Sequence, residues 1–319
     1  MNAWTGRADI VDGELGRRWH QVVRPPARHD TGGVALLGFA SDAGVARNQG
    51  RPGAAGGPQE LRRKLSNLAW HGSPRAILLD AGDVACEGDS LEAAQLEYAT
   101  HLANLLRDGH LGIGLGGGHE IAWGTYQGLA QAHLASPRLE RLGIVNFDAH
   151  LDLRLPEVAG LGTSGTPFLQ IAEARAAAGL PFRYLCIGAS ETSNTPALLR
   201  RAATLGADVI YDVEAAARDA DGHVRRFVEE SSGVYLTFCL DVLPPAVAPG
   251  VSAPSTLGLP PQRAVELLRI VLAACGHGPR GKLVVADVAE LNPRHDEGGR
   301  TARVAARIVY EIASPWLRG

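Results

Sequence analysis

Short apolar runs recur along the chain, and polar stretches with helical spacing separate many of them. VALLGF (34–39) and AILLDAGDV (76–84) read as strands, as does the start of LGIGLGGGHE (111–120). Further strand-like runs lie in RLGIVNFDAH, RYLCIGAS, ADVIYDVE, GVYLTFCLDVL and KLVVADVAELNP. Between them, GPQELRRKLSNL predicts a helix with Pro58 in its first turn, where a missing N–H costs little. SLEAAQLEYATHLANLLRDG predicts another, with Ser90 as N-cap and Gly109 as the stop. IAWGTYQGLAQAHLA, PPQRAVELLRIVLAAC and a closing ARVAARIVYEIA complete the helical pattern. Strands apolar on both faces and alternating with helices imply a mostly parallel sheet covered by helices on each side. The expectation is one α/β domain over residues 1–319 with about eight strands, and a polar N-terminal extension over 1–30 that ends near the breaker RPPARHD.

Composition narrows the classes. The chain has 319 residues, 45% hydrophobic and 20% charged, with a formal net charge of −3, so neither a nucleic acid nor an anionic membrane is expected as partner. No apolar run approaches the roughly 20 residues of a membrane span, and MNAWTGRADIVDGELG lacks the order of a secretory signal. Cys86, Cys186, Cys239 and Cys275 show no CxxC spacing, so reduced thiols in a cytoplasmic protein are expected.

In open parallel sheets, ligands bind beyond the carboxyl ends of the strands. His119 and Glu120 follow LGIGLGGG; Asp148, His150 and Asp152 follow LGIVNF; Cys239 and Asp241 follow VYLTF; Glu290 follows LVVADVA. If the strand continues through FDAHLD, positions 148, 150 and 152 share one face. Carboxylates and imidazoles converging on one rim repel and are poorly solvated unless cations sit among them. The mixed donor set suits Mn²⁺, Fe²⁺ or Zn²⁺ better than Ca²⁺, and two such ions lower the pKa of a water between them. The plain alternatives are a solvated edge strand for Asp-x-His-x-Asp and a helix-capping role for His119.

GGGHE, FDAHLD, TFCLDVLPPAVAPGVSAP and AELNP, in this order, resemble the signature stretches of the ureohydrolase superfamily of arginase, agmatinase and formimidoylglutamase. The resemblance extends from LLGFASDAGVARNQGRPGAAGGPQELR to TARVAARIVYEI and implies a three-layer α/β/α sandwich with two Mn²⁺ ions. By position it implies His119 and Asp152 on one ion, His150 and Asp241 on the other, and Asp148 between them. Glu290 would pair with the amidine or guanidine cation of a small-molecule substrate. SDAGVARNQGRPGA and GVSAP resemble the formimidoylglutamase branch, which cleaves N-formimidoyl-L-glutamate in histidine degradation. Homo-oligomerisation is left open.

Three positions refine this expectation. Arg154 falls where arginases carry an Asn near the substrate's α-carboxylate, and a guanidinium there suits an acidic substrate; Arg47 and Arg51 are further candidates. Ser164 in TSGTPF replaces the His of agmatinases, so the leaving amine must take its proton elsewhere, with Asp148 or a metal-linked water as candidates. Cys239 stands where the family carries an aspartate ligand. It is either a thiolate ligand that favours softer ions or a small core residue. Besides hydrolysis of another acidic amidine or guanidino acid, the rival functions are a metal-poor binding protein and a nicotinamide dehydrogenase, the last because GIGLGG (112–117) satisfies G-x-G-x-x-G. The next strand-end acid, Asp148, lies too far along for a dehydrogenase.

Overall fold

The computed structural model describes residues 3–133, 136–215, 217 and 220–318. Eight strands form one sheet: β1 (Val34–Ala40), β2 (Leu78–Ala85), β3 (Leu111–Gly116), β4 (Leu142–Phe147), β5 (Arg183–Ala189), β6 (Asp208–Tyr211), β7 (Gly233–Cys239) and β8 (Leu283–Ala289). Their order is β2-β1-β3-β8-β7-β4-β5-β6, and every neighbouring pair is parallel. Helices connect them: α1 (Ala43–Arg47), α2 (Gly57–Leu65), α3 (Leu91–Arg107), α4 (Ile121–His133), α5 (Pro137–Glu140) and α6 (Pro167–Ala177). The remainder are α7 (Pro196–Thr204), α8 (Asp212–Ala215), α9 (Ala220–Glu229), α10 (Pro261–Cys275) and α11 (Arg300–Leu317).

The strands are apolar on both faces because both faces are covered. Leu36, Ile113, Phe147, Leu236 and Val288 point into a core shared with α2, α9, α10 and α11. Leu37, Ile144, Tyr184, Tyr235 and Val285 face α3, α4 and α6. This is the three-layer α/β/α sandwich that the sequence predicts. Pro58, Pro167, Pro196 and Pro261 all occupy first turns of helices. Ser90 sits at the N-cap of α3, but its side chain makes no capping bond; only its carbonyl accepts, from Ala94.

The segment before β1 is tied to the sheet. Trp19 is fully buried against Trp70 and Tyr310, and Arg24 bridges to Leu79 of β2. Among the described residues, no helix is long and apolar enough to cross a membrane.

Candidate metal centre

The four central strands β3, β8, β7 and β4 are adjacent, so the residues that follow them meet at one point of the rim. One expectation needs correction. β4 stops at Phe147, and residues 148–154 have no repeating structure, so Asp148, His150 and Asp152 do not alternate along a strand. A pinned loop aims them instead. Asp148 N donates to Ile187 O, and His150 N donates to Asp148 Oδ1 at 2.7 Å. Leu151 N donates to Asn194 Oδ1, and Arg154 N to Gly165 O. Asp152 adopts φ +47°, a left-handed conformation that a non-glycine residue takes at a cost. Gln49 (φ +61°) and Glu290 (φ +74°) share it, and all three line the same cavity.

Asp148 lies at the centre, fully buried, with each oxygen facing a different imidazole. Oδ2 is 2.8 Å from His119 Nδ1, and Oδ1 is 3.5 Å from His150 Nδ1. Asp152 completes the first group, 3.0 Å from His119 Nδ1, and Asp241 the second, 3.0 Å from His150 Nδ1. Cys239 falls on the first side, where His119, Asp148 and Cys239 offer donors within 4.8 Å of one another. Asp148, His150 and Asp241 do the same on the other.

The donor chemistry fits cations between these groups. His119 Nδ1 is buried and makes no hydrogen bond, although two carboxylate oxygens stand near it. Its Nε2 lies 2.9 Å from Thr237 Oγ1; with Nε2 as the donor there, Nδ1 would turn a lone pair towards a cation held between it and the two carboxylates. Phe168 holds the ring edge-on at 5.3 Å. Without a cation the acids compete for protons. Burial and the charge of Asp148 push Asp241 up to about 6 and also raise Asp152. Burial tends to raise Asp148 as well, but His119 and His150 hold it well below the usual carboxylate range. Burial and the nearby Asp148, Asp241 and Glu290 also push the Cys239 thiol well above its ordinary range.

Glu290 forms the floor. His119 N donates to its Oε1 at 2.8 Å and Ser252 N to its Oε2 at 3.3 Å, while burial and Asp241 push its carboxyl up to about 8. Ser164 lines the same cavity of about 190 Å³ and accepts from Asn48 Nδ2 at 3.1 Å. Arg154 lines it too, and its exposed guanidinium makes no ion pair among the described residues. Arg47 and Arg51 are committed elsewhere: Arg47 to Asp89, Glu92 and Gly162 O, Arg51 to the carbonyls of Pro249 and Val251.

Residues not singled out in the sequence also shape the site. Asn48, Gln49 and Ser252 line the cavity, Thr237 orients His119, and Asn146 Nδ2 donates to Asp148 Oδ2. The glycine run does not form a dinucleotide cradle. A Cβ on Gly117 would meet Ser41 O at 1.9 Å, and one on Gly118 would meet Glu120 Oε2 at 2.0 Å. These glycines allow β1, the β3 turn and buried Glu120 to pack, and Glu120 in turn holds Ser41 and Gly44 N beneath the Asn48–Gln49 wall.

An eight-stranded parallel α/β/α sandwich with a buried carboxylate–imidazole cluster at its central strand ends defines a class of metal-site folds. Residues 32–314 match the Arginase family, and the chain belongs to it. It is 48% identical to the formimidoylglutamase of Aromatoleum aromaticum over 97% of this chain and 91% of that protein. It is 50% identical to the one from Ralstonia nicotianae, over 97% and 94%. Among solved structures, Trypanosoma cruzi formiminoglutamase with Mn²⁺ aligns with a TM-score of 0.79 at 25% identity, covering 92% of this chain and 97% of that one. The proclavaminate amidino hydrolase of Streptomyces clavuligerus aligns with a TM-score of 0.78 at 25% identity, over 100% and 99%.

Proposed function

We propose that this protein is a metal-dependent hydrolase of linear amidines that cleaves N-formimidoyl-L-glutamate, with one water, to L-glutamate and formamide in histidine degradation, with two Mn²⁺ ions as cofactor. The observation that carries this reading is the shared Asp148, flanked by His119 with Asp152 and by His150 with Asp241. The formimidoylglutamase relatives, matched over nearly the whole chain, support the substrate. The reading treats residues 1–319 as one catalytic domain.

His119, Asp152 and Cys239 would hold one ion, His150 and Asp241 the other, with Asp148 on both. When bound, such a pair supplies Lewis acidity that lowers the pKa of a water and polarises a C=N bond. The chain's own residues do the rest. Glu290, fixed by two backbone N–H groups, sets a buried negative charge against the planar amidinium, whose positive charge offsets the cost of ionising it. Arg154 offers a fork-shaped donor to a substrate carboxylate.

The test is formamide release from N-formimidoyl-L-glutamate, with agmatine and arginine as controls and with and without Mn²⁺. Mn²⁺-dependent formamide without urea from the controls is the expected result. Urea at a comparable rate, or no Mn²⁺-dependent product, overturns the reading.

A further inference from the structure

The inner cavity opens into an outer one of about 600 Å³, and the two share Asn48, Gln49 and Arg154. Three arginines line the outer space. Arg47 is neutralised by Asp89 and Glu92. Arg154 and Arg201 make no ion pair with any described acid; Glu157, the acid on the same wall, is exposed and pairs with neither. The Arg201 side chain makes one hydrogen bond, from Nη1 to Leu153 O at 2.6 Å, which ties it to the residue next to Arg154. The first turn of α7, through Ala197 and Leu198, lines the same wall and adds the positive end of a helix dipole. Two uncompensated guanidiniums in one concavity repel unless an anion joins them.

We infer that Arg154 and Arg201 form a two-point clamp for a dicarboxylate, and that Arg201 is the specificity residue for the carboxylate farther from the reacting carbon. This rests on the substrate reading above. The assignment follows from depth. Arg154 lines both cavities, and the substrate's α-carboxylate sits on the carbon that bears the reacting nitrogen. Arg201 lines only the outer cavity, where the γ-carboxylate lies, two methylenes farther out.

The experiment compares kcat/KM for N-formimidoyl-L-glutamate with that for N-formimidoyl-L-glutamine, which is similar in shape but neutral at the γ position. The wild type is expected to prefer the glutamate by about tenfold to a hundredfold, the range of a charge-assisted contact. In Arg201→Gln, which keeps a donor for Leu153 O but loses the charge, this ratio collapses towards one. Arg201→Lys restores part of it. A merely structural role for Arg201 lowers both substrates together and leaves the ratio unchanged, and that result overturns the inference. So does a wild type that treats the two alike. A wild type that releases formamide from neither sinks the substrate reading itself, and the clamp with it.

Discussion

At the level of single residues, the centre depends on which atom of each group faces inward. The sequence exposed the donors because they follow apolar runs: His119, Asp148, His150, Asp152, Asp241 and Glu290 were all legible, and all converge. Thr237 was not. It is one of the inward residues of a buried strand, and nothing in its spacing separates it from core. Its hydroxyl holds His119 Nε2 at 2.9 Å and so orients the ring, and Thr237→Val should weaken Mn²⁺ binding about 10–100-fold, read by calorimetric titration of the metal-free protein. Unaltered affinity removes the orienting role. Cys239→Asp in the same titration should tighten Mn²⁺, since it adds a hard anionic donor beside His119 and Asp148. An unchanged isotherm makes Cys239 a core residue and not a ligand.

For the secondary-structure elements, the lesson lies in what carries the residues. Strand ends were readable from apolar runs, but the loop after β4 was not, because its shape comes from distant partners such as Asn194 and Gly165 and from a left-handed Asp152. The first helix after the cavity wall is held by a similar long-range device. Arg62 of α2, 4% exposed, forms two hydrogen bonds with Asp80 of β2, one with Gly82 O, and pairs with Asp83. Trp4 Nε1 adds a donor to Asp80 at 2.6 Å. Burial tends to raise Asp80, but Arg62 more than offsets it, so its folded pKa lies below its unfolded value. That contribution to stability is therefore present above pH ~4 and is lost as pH falls through the lower folded pKa. Arg62→Met should cost about 3–5 kcal/mol near neutrality by leaving Asp80 without its cation. The gap from wild type should narrow in denaturant melts below pH ~4. A gap that stays constant with pH rules out the ion pair as its source.

For the whole molecule, the strand order turns scattered motifs into one centre. Residues 119 and 241 are far apart in the chain, yet their strands are separated in the sheet only by β8. The parallel class could be read from the apolar runs, but the order could not, because every buried strand looks alike to its neighbours. It is the order that brings four rim segments together beneath a funnel of two cavities, with cation-seeking groups at the bottom and guanidiniums nearer the mouth. The most direct measurement is anomalous diffraction at the manganese edge from Mn²⁺-loaded crystals. Two peaks are predicted, both in contact with Asp148, one beside His119 and Asp152 and the other beside His150 and Asp241. No peak at Asp148, or peaks only elsewhere on the protein, contradicts the account.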